Sequence, residues 1–151
     1  MDLKGQGSAE YLLLVVVILI VMGWLVDNAY QPAINATMDI SRSSDAKNAV
    51  GSIADAVNLV YANGPGAKRT LNVYIPPPAN ITGNNATKLI GMNFSLSNGT
   101  KYVNRSINYN VTVVGPTNTT KKWYNVTIEW KLDVEWKLGV DPRSFITVSI
   151  A

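Results

Sequence analysis

Residues 4–26 read Lys4-Gly5-Gln6-Gly7-Ser8-Ala9-Glu10-Tyr11-Leu12-Leu13-Leu14-Val15-Val16-Val17-Ile18-Leu19-Ile20-Val21-Met22-Gly23-Trp24-Leu25-Val26. From Tyr11 to Val26, sixteen consecutive residues carry no charge, and Glu10 sits at the mouth of the run. As an α-helix the run rises ~24 Å, a little short of a hydrocarbon core of ~30 Å, so it spans a bilayer if Ser8 and Ala9 join it and its ends snorkel. A carboxylate at the edge of so apolar a helix is expensive in hydrocarbon. It must stay at an interface, take up a proton or find a partner. Lys4 precedes the run and the next Lys or Arg is Arg42. The positive-inside rule therefore puts the amino terminus in the cytoplasm and everything after Asp27 outside.

A secretory signal would be cut after its apolar run at small residues, but Asp27-Asn28-Ala29 places a charge where a small side chain is needed. The remaining option is a cut before the run. Lys4-Gly5-Gln6-Gly7-Ser8-Ala9-Glu10 resembles the class III signal peptide of archaeal type IV pilin-like proteins, whose pattern is Lys-Gly, Gln, any residue, Ser, any residue, Glu. Every fixed position of the pattern is matched, over about twenty residues when the apolar run is included. The resemblance implies that a prepilin peptidase cuts between Gly5 and Gln6, that residues 1–5 are removed, and that Glu10 becomes the fifth residue of the mature chain. It also implies assembly through Gln6, Ser8, Glu10 and Tyr11 into a homopolymer, with pilus assembly machinery as a partner and the membrane as the precursor's home. The buried Glu10 carboxylate would then pair with the new α-ammonium at Gln6 of a neighbouring copy, neutralising both charges and fixing axial register. Ser8 is a candidate helix N-cap. The bland alternative makes Glu10 an interfacial residue that merely starts a transmembrane helix.

Composition narrows the chemistry. The 151 residues include no Cys and no His, which removes the thiolate nucleophile, the disulfide framework, the commonest general base and the commonest metal ligand. The formal charge is only +3 and the lysines are scattered, so no nucleic-acid partner is expected. Charged residues make up 15% of the chain while Asn and Thr abound, which describes a surface that is polar without being charged.

Beyond the rod, Pro32 lacks an N–H and predicts a kink or break near residues 28–31. Val50, Ile53, Ala54, Val57, Val60 and Tyr61 recur at three- and four-residue steps, one apolar face of an amphipathic helix. Residues 34–45 are more polar; Ser41 to Asp45 reads either as a loosening or as continuous helix. Asn63-Gly64-Pro65-Gly66 ends the helix. Residues 6–64 thus form a helical rod, with 6–31 as its assembly and membrane segment.

From residue 69 to 151 the period becomes two. Leu71, Val73 and Ile75 alternate with polar positions, as do Ile90, Met92, Phe94 and Leu96, then Ile107, Tyr109, Val111 and Val113. The longest run puts Tyr124, Val126, Ile128, Trp130, Leu132, Val134, Trp136 and Leu138 on one face, either as one long bent strand or as two strands with a bulge. Ile146, Val148 and Ile150 form the last buried set. Turns fall at Pro76-Pro77-Pro78, Ser97-Asn98-Gly99, Gly115-Pro116 and 139–142. The expected fold is α+β: a long hydrophobic amino-terminal helix, kinked near Pro32, continuing into an amphipathic helix packed on a carboxy-terminal antiparallel sheet, as in type IV pilins.

Nine Asn-x-Ser/Thr triplets begin at Asn35, Asn80, Asn85, Asn93, Asn98, Asn104, Asn110, Asn118 and Asn125. Eight lie in the β region, several in expected loops, and Asn110 and Asn125 on polar strand faces where an N-linked glycan would project into solvent. A surface built from Asn and Thr alone would yield some of them by chance.

Few residues suggest a reaction. Asp133 and Glu135 share a strand face like the carboxylate pair of a glycosidase, yet Lys131 and Lys137 on that face make it a solvated strand of alternating charge. Asp39 and Asp45 lack the regular loop spacing of a calcium site, so no metal and no cofactor is assigned. Trp130, Trp136 and Tyr124 fall on the apolar face and read as core, leaving Trp123 as the exposed aromatic. The functional expectation is a non-enzymatic structural subunit of an extracellular filament, with adhesion its work. A monomeric membrane-anchored surface glycoprotein, or a minor pilin or adhesin, is the alternative, and a surface enzyme acting on glycans stands third.

Overall fold

The computed structural model describes residues 3–115, 119–120, 123–131 and 145–151. The chain divides into two compact units, Met1–Ile40 and Ser41–Ala151.

Every described residue of the first unit is helical. Helix α1 runs Leu3–Leu25, five residues of π-helix follow at Val26–Tyr30, and α2 (Gln31–Asn63) begins directly after them. A long apolar run adopts a helix because every backbone polar group is then satisfied within its own segment. Of the kink or break expected near Pro32, a break does not occur: the helix continues through five residues of π-helix. Pro32 has no N–H to give to the Asn28 carbonyl, and the ladder shifts register so that the Gln31 N–H donates to the Val26 carbonyl five residues back. The Asn28 side-chain amide donates to the Trp24 carbonyl at 2.8 Å, meeting an acceptor beside the shift. Ser8 lies in the second turn of α1 and so does not cap this helix, which starts at Leu3.

In the second unit α2 remains helical through Ser41 to Asp45, so no loosening occurs there. Its buried positions are Ala46, Ala49, Val50, Ile53, Ala54, Val57 and Val60, at the three- and four-residue steps of one face, with Gly51 and Ala56 widening the stripe. Tyr61 stands at the rim and stacks on Trp130 and Tyr109, with ring centroids 5.5 and 5.3 Å away. The helix stops at Asn63. Gly64 follows at φ +86°, a left-handed conformation that costs glycine nothing.

Seven strands occur among the described residues: β1 (Lys68–Tyr74), β2 (Ala79–Asn84), β3 (Leu89–Leu96), β4 (Gly99–Ser106), β5 (Val111–Val114), β6 (Trp123–Lys131) and β7 (Phe145–Ile150). They form a four-stranded sheet in the order β1-β6-β7-β5 and a three-stranded sheet in the order β2-β3-β4. This corrects the expectation of a purely antiparallel sheet. There are two sheets, and β5 pairs with β7 in parallel. The parallel pairing is sterically easy because the intervening chain passes through β6, a connection long enough to bring β7 back in the same direction as β5. The inner faces of both sheets and the buried face of α2 share one hydrophobic cluster, with Ile53, Val57, Ile90, Met92, Phe94, Ile128 and Ile146 among its best-covered members.

A further correction concerns a strand. The expected strand from Ile107 to Val113 begins only at Val111, because residues 107–110 carry the chain from one sheet to the other. Ile107 N–H bonds to the Lys88 carbonyl and Asn108 N–H to Asn58 Oδ1 on α2. Strands β2 and β4 lack a sustained apolar alternation of their own. Leu96 pairs with Gly99 across a two-residue loop, and Gly99 takes φ +127°, which favours glycine. For the long run, β6 buries Tyr124, Val126, Ile128 and Trp130, while Leu132, Asp133, Val134, Glu135, Trp136, Lys137, Leu138 and the turn at 139–142 lie outside the described residues.

Candidate functional site

Among the described residues, exposed large apolar side chains gather on the amino-terminal helix. The stretch Gly7–Asn63 contains a window of mean hydropathy 2.6, long and apolar enough to cross a membrane, and none of that window is buried within the molecule. Tyr11 is 69% exposed and Leu19 65%, with Leu12, Leu13, Ile18, Ile20, Met22 and Trp24 similarly open. Leucine, isoleucine and valine recur on every side of α1, so the helix is apolar all round rather than striped. A helix of that kind needs apolar surroundings on every side, whether lipid or other helices. Glu10 is exposed at the start of the run, one residue before Tyr11. Gly5 and Gln6 are helical in backbone. From Gln6 to Ser41 the side chains include three acids, Glu10, Asp27 and Asp39, and no Lys or Arg. A cation for Glu10 must therefore come from Lys4 or a chain terminus, from residues beyond Ser41 or from another molecule.

The sequon asparagines form a second surface. Asn35 is exposed on α2. Asn85, Asn93, Asn98, Asn104, Asn110 and Asn125 are exposed, Asn80 is half-buried, and Asn118 lies outside the described residues. Strand alternation explains why the triplets are so frequent. In Asn80-Ile81-Thr82, Asn93-Phe94-Ser95, Asn110-Val111-Thr112 and Asn125-Val126-Thr127 the middle residue is buried, so Asn and hydroxyl share the outward face. Asn85 also has a structural task, since its Oδ1 accepts the Val111 N–H at 2.9 Å, a bond that leaves its amide nitrogen uninvolved. Thr119, the middle residue of the Asn118 triplet, is buried and exchanges two 2.9 Å bonds with the backbone of Ala79.

Of the aromatic residues considered, Tyr124 and Trp130 are buried as expected and Trp136 lies outside the described residues. Trp123 is 62% exposed and meets Tyr74 of the neighbouring strand edge-on at 5.4 Å. Tyr102 was not singled out by its sequence, although it too is a large exposed aromatic among Asn and Thr. A cleft of about 440 Å³ between β2 and β5 is lined by Asn80, Thr82, Asn85 and Thr112. A groove of about 470 Å³ between α2 and β1 is lined by Ser52, Asp55, Leu59, Arg69 and Asn72. Lys131 is exposed at the end of β6, while its expected companions Asp133 and Glu135 are outside the described residues. Asp39 and Asp45 both stand on α2, and among the described residues no three acids gather as metal ligands.

Compared with known proteins, the chain matches no family model, no curated protein and no solved structure.

Proposed function

We propose that this chain is a pilin-like structural subunit. It is cut between Gly5 and Gln6 and polymerises through its amino-terminal helix into an extracellular type IV pilus-like filament, the β-rich unit forming the exterior and surface adhesion being its work. The reading is carried by one observation: a helix apolar all round and left uncovered by its own chain, entered through Lys4-Gly5-Gln6-Gly7-Ser8-Ala9-Glu10. An anchor needs only the apolar helix. The complete Gly-Gln-x-Ser-x-Glu spacing at its mouth is what favours assembly.

Apolar area leaving water is worth ~25 cal/mol per Å², which holds the helix out of solvent. Passage from bilayer to helical bundle gains much less, because lipid tails are as apolar as the neighbouring leucines. Close packing and polar contacts must therefore select the arrangement. Glu10 is suited to that selection. Inside a bundle its carboxylate is too costly to leave unpaired, so registers that bring an α-ammonium of Gln6 beside it are favoured over those that do not.

Glu10→Ala tests the role directly. Export and cleavage should persist while electron microscopy finds no fibres; abundant normal fibres would refute it. A sample in which this chain is scarce within fibres built mainly of another protein would point to a minor subunit, and one found only as a membrane-held monomer to the anchored glycoprotein.

A further inference from the structure

The register of the three-stranded sheet lays out its outer face row by row. Ile90, Met92 and Phe94 of β3 face the core, so Gly91, Asn93 and Ser95 occupy the opposite face. Across the strands, Asn80 pairs with Asn93 and Asn93 with Tyr102; in the next row Thr82 pairs with Gly91 and Gly91 with Asn104. Three sequon asparagines, Asn80, Asn93 and Asn104, thus share one face with the hydroxyl residues two positions on, Thr82, Ser95 and Ser106.

One aromatic ring sits among them. Tyr102 starts in the row of Asn93 and leans diagonally over Gly91, where a Cβ would overlap its hydroxyl and ring. Gly91 is buried beneath it, although it belongs to the outer face. Tyr102 as a whole nonetheless remains 47% exposed. Asn104 lies directly across from the glycine under the ring, and Asn93 lies two residues along the same strand from that glycine.

We propose that Tyr102, seated on Gly91, is a saccharide platform whose open face stacks against the first sugar of an N-linked glycan carried by Asn93 or Asn104. This rests on reading those triplets as acceptors in an extracytoplasmic domain. In the transfer, Asn Nδ2 attacks the anomeric carbon of a lipid-phosphate-linked sugar. The N–C1 bond forms, the C1–O bond breaks, the lipid phosphate departs with the bonding pair, and one amide proton passes to a base of the transferase. The attached pyranose presents an apolar C–H face, and an aromatic ring presents a negative one; each covers the other from water. Glycine at 91 lets the ring lie low enough for a sugar attached beside it to pass over it.

A purely structural Tyr102 would cover the glycine backbone and stabilise the sheet with or without sugar. The comparison that separates the two uses the full-length native protein in detergent. Ser95→Ala with Ser106→Ala removes both acceptor triplets while keeping the asparagines; Tyr102→Leu keeps an apolar cover over Gly91 without an aromatic face, and Tyr102→Phe restores the face. Glycopeptide mass spectrometry should find sugar on Asn93 or Asn104. Tyr102→Leu should lower Tm by about 3 °C more in the glycosylated protein than in the Ser95→Ala, Ser106→Ala background, with Tyr102→Phe close to wild type. Unmodified Asn93 and Asn104, or equal Tm losses in both backgrounds, would overturn the proposal. The same preparations are scored for fibres and for Gln6 as first residue, so the filament reading stands or falls separately.

Discussion

Two glycines show why the nature of a contact matters more than its length. A Cβ at Gly115 would come within 2.8 Å of Ile150 Cβ, an atom fixed to the backbone of a core residue. At Gly91 the overlap is closer, but it falls on the far end of an exposed tyrosine that can swing away. Gly115→Ala should therefore cost about 1–3 kcal/mol by overpacking, and Gly91→Ala less than ~1 kcal/mol. Guanidinium unfolding of the detergent-solubilised chain, followed by tryptophan fluorescence, measures both, and the reverse order would contradict this reasoning. Ile53 offers a larger effect, because it is fully buried at the centre of the α2 face. Ile53→Ala should cost about 2–5 kcal/mol in the same assay, since the surrounding core collapses only partly into the cavity.

At the scale of elements, Pro32 and its missing N–H account for the π-turn at Val26–Tyr30. Pro32→Ala restores a donor for the Asn28 carbonyl, so residues 26–30 should return to α-helical bonding. Amide exchange by NMR in micelles should then show that the new N–H of the substituted residue is protected; exchange there as free as that of an unbonded amide would contradict this. The proline was legible as a disturbance, but not the form it takes, because a break and a register shift both answer the same missing donor. The strands divide in the same way. Val73, Met92, Phe94, Val126, Ile128 and Val148 were legible because each has an apolar neighbour two positions away on a buried face. Strand β4 was hidden because only Val103 of its residues is even half-buried, an edge strand that owes its position to pairing with β3 and not to its own apolar pattern. Strand β2 was hidden behind three prolines and a run of Asn, Gly and Thr, with only Ala79 and Ile81 facing the core. The parallel pair was invisible for another reason: alternation reports which face is buried, never the direction of the neighbouring strand.

For the whole molecule, the chain has two units with opposite relations to water. Residues 41–151 bury a continuous core, while the apolar window in the amino-terminal helix has none of its length covered. The uncovered apolar helix was legible, since sixteen uncharged residues behind Lys4-Gly5-Gln6-Gly7-Ser8-Ala9-Glu10 can be read without any tertiary contact. The seat of Tyr102 was not legible, because it depends on the register that sets Gly91 and Asn93 opposite β4. The filament proposal is tested most directly by isolating surface fibres and determining the first residue of this chain within them. The predicted result is long fibres in which this chain dominates and begins at Gln6. Recovery of the chain solely as a membrane-held monomer still beginning at Met1 would contradict it.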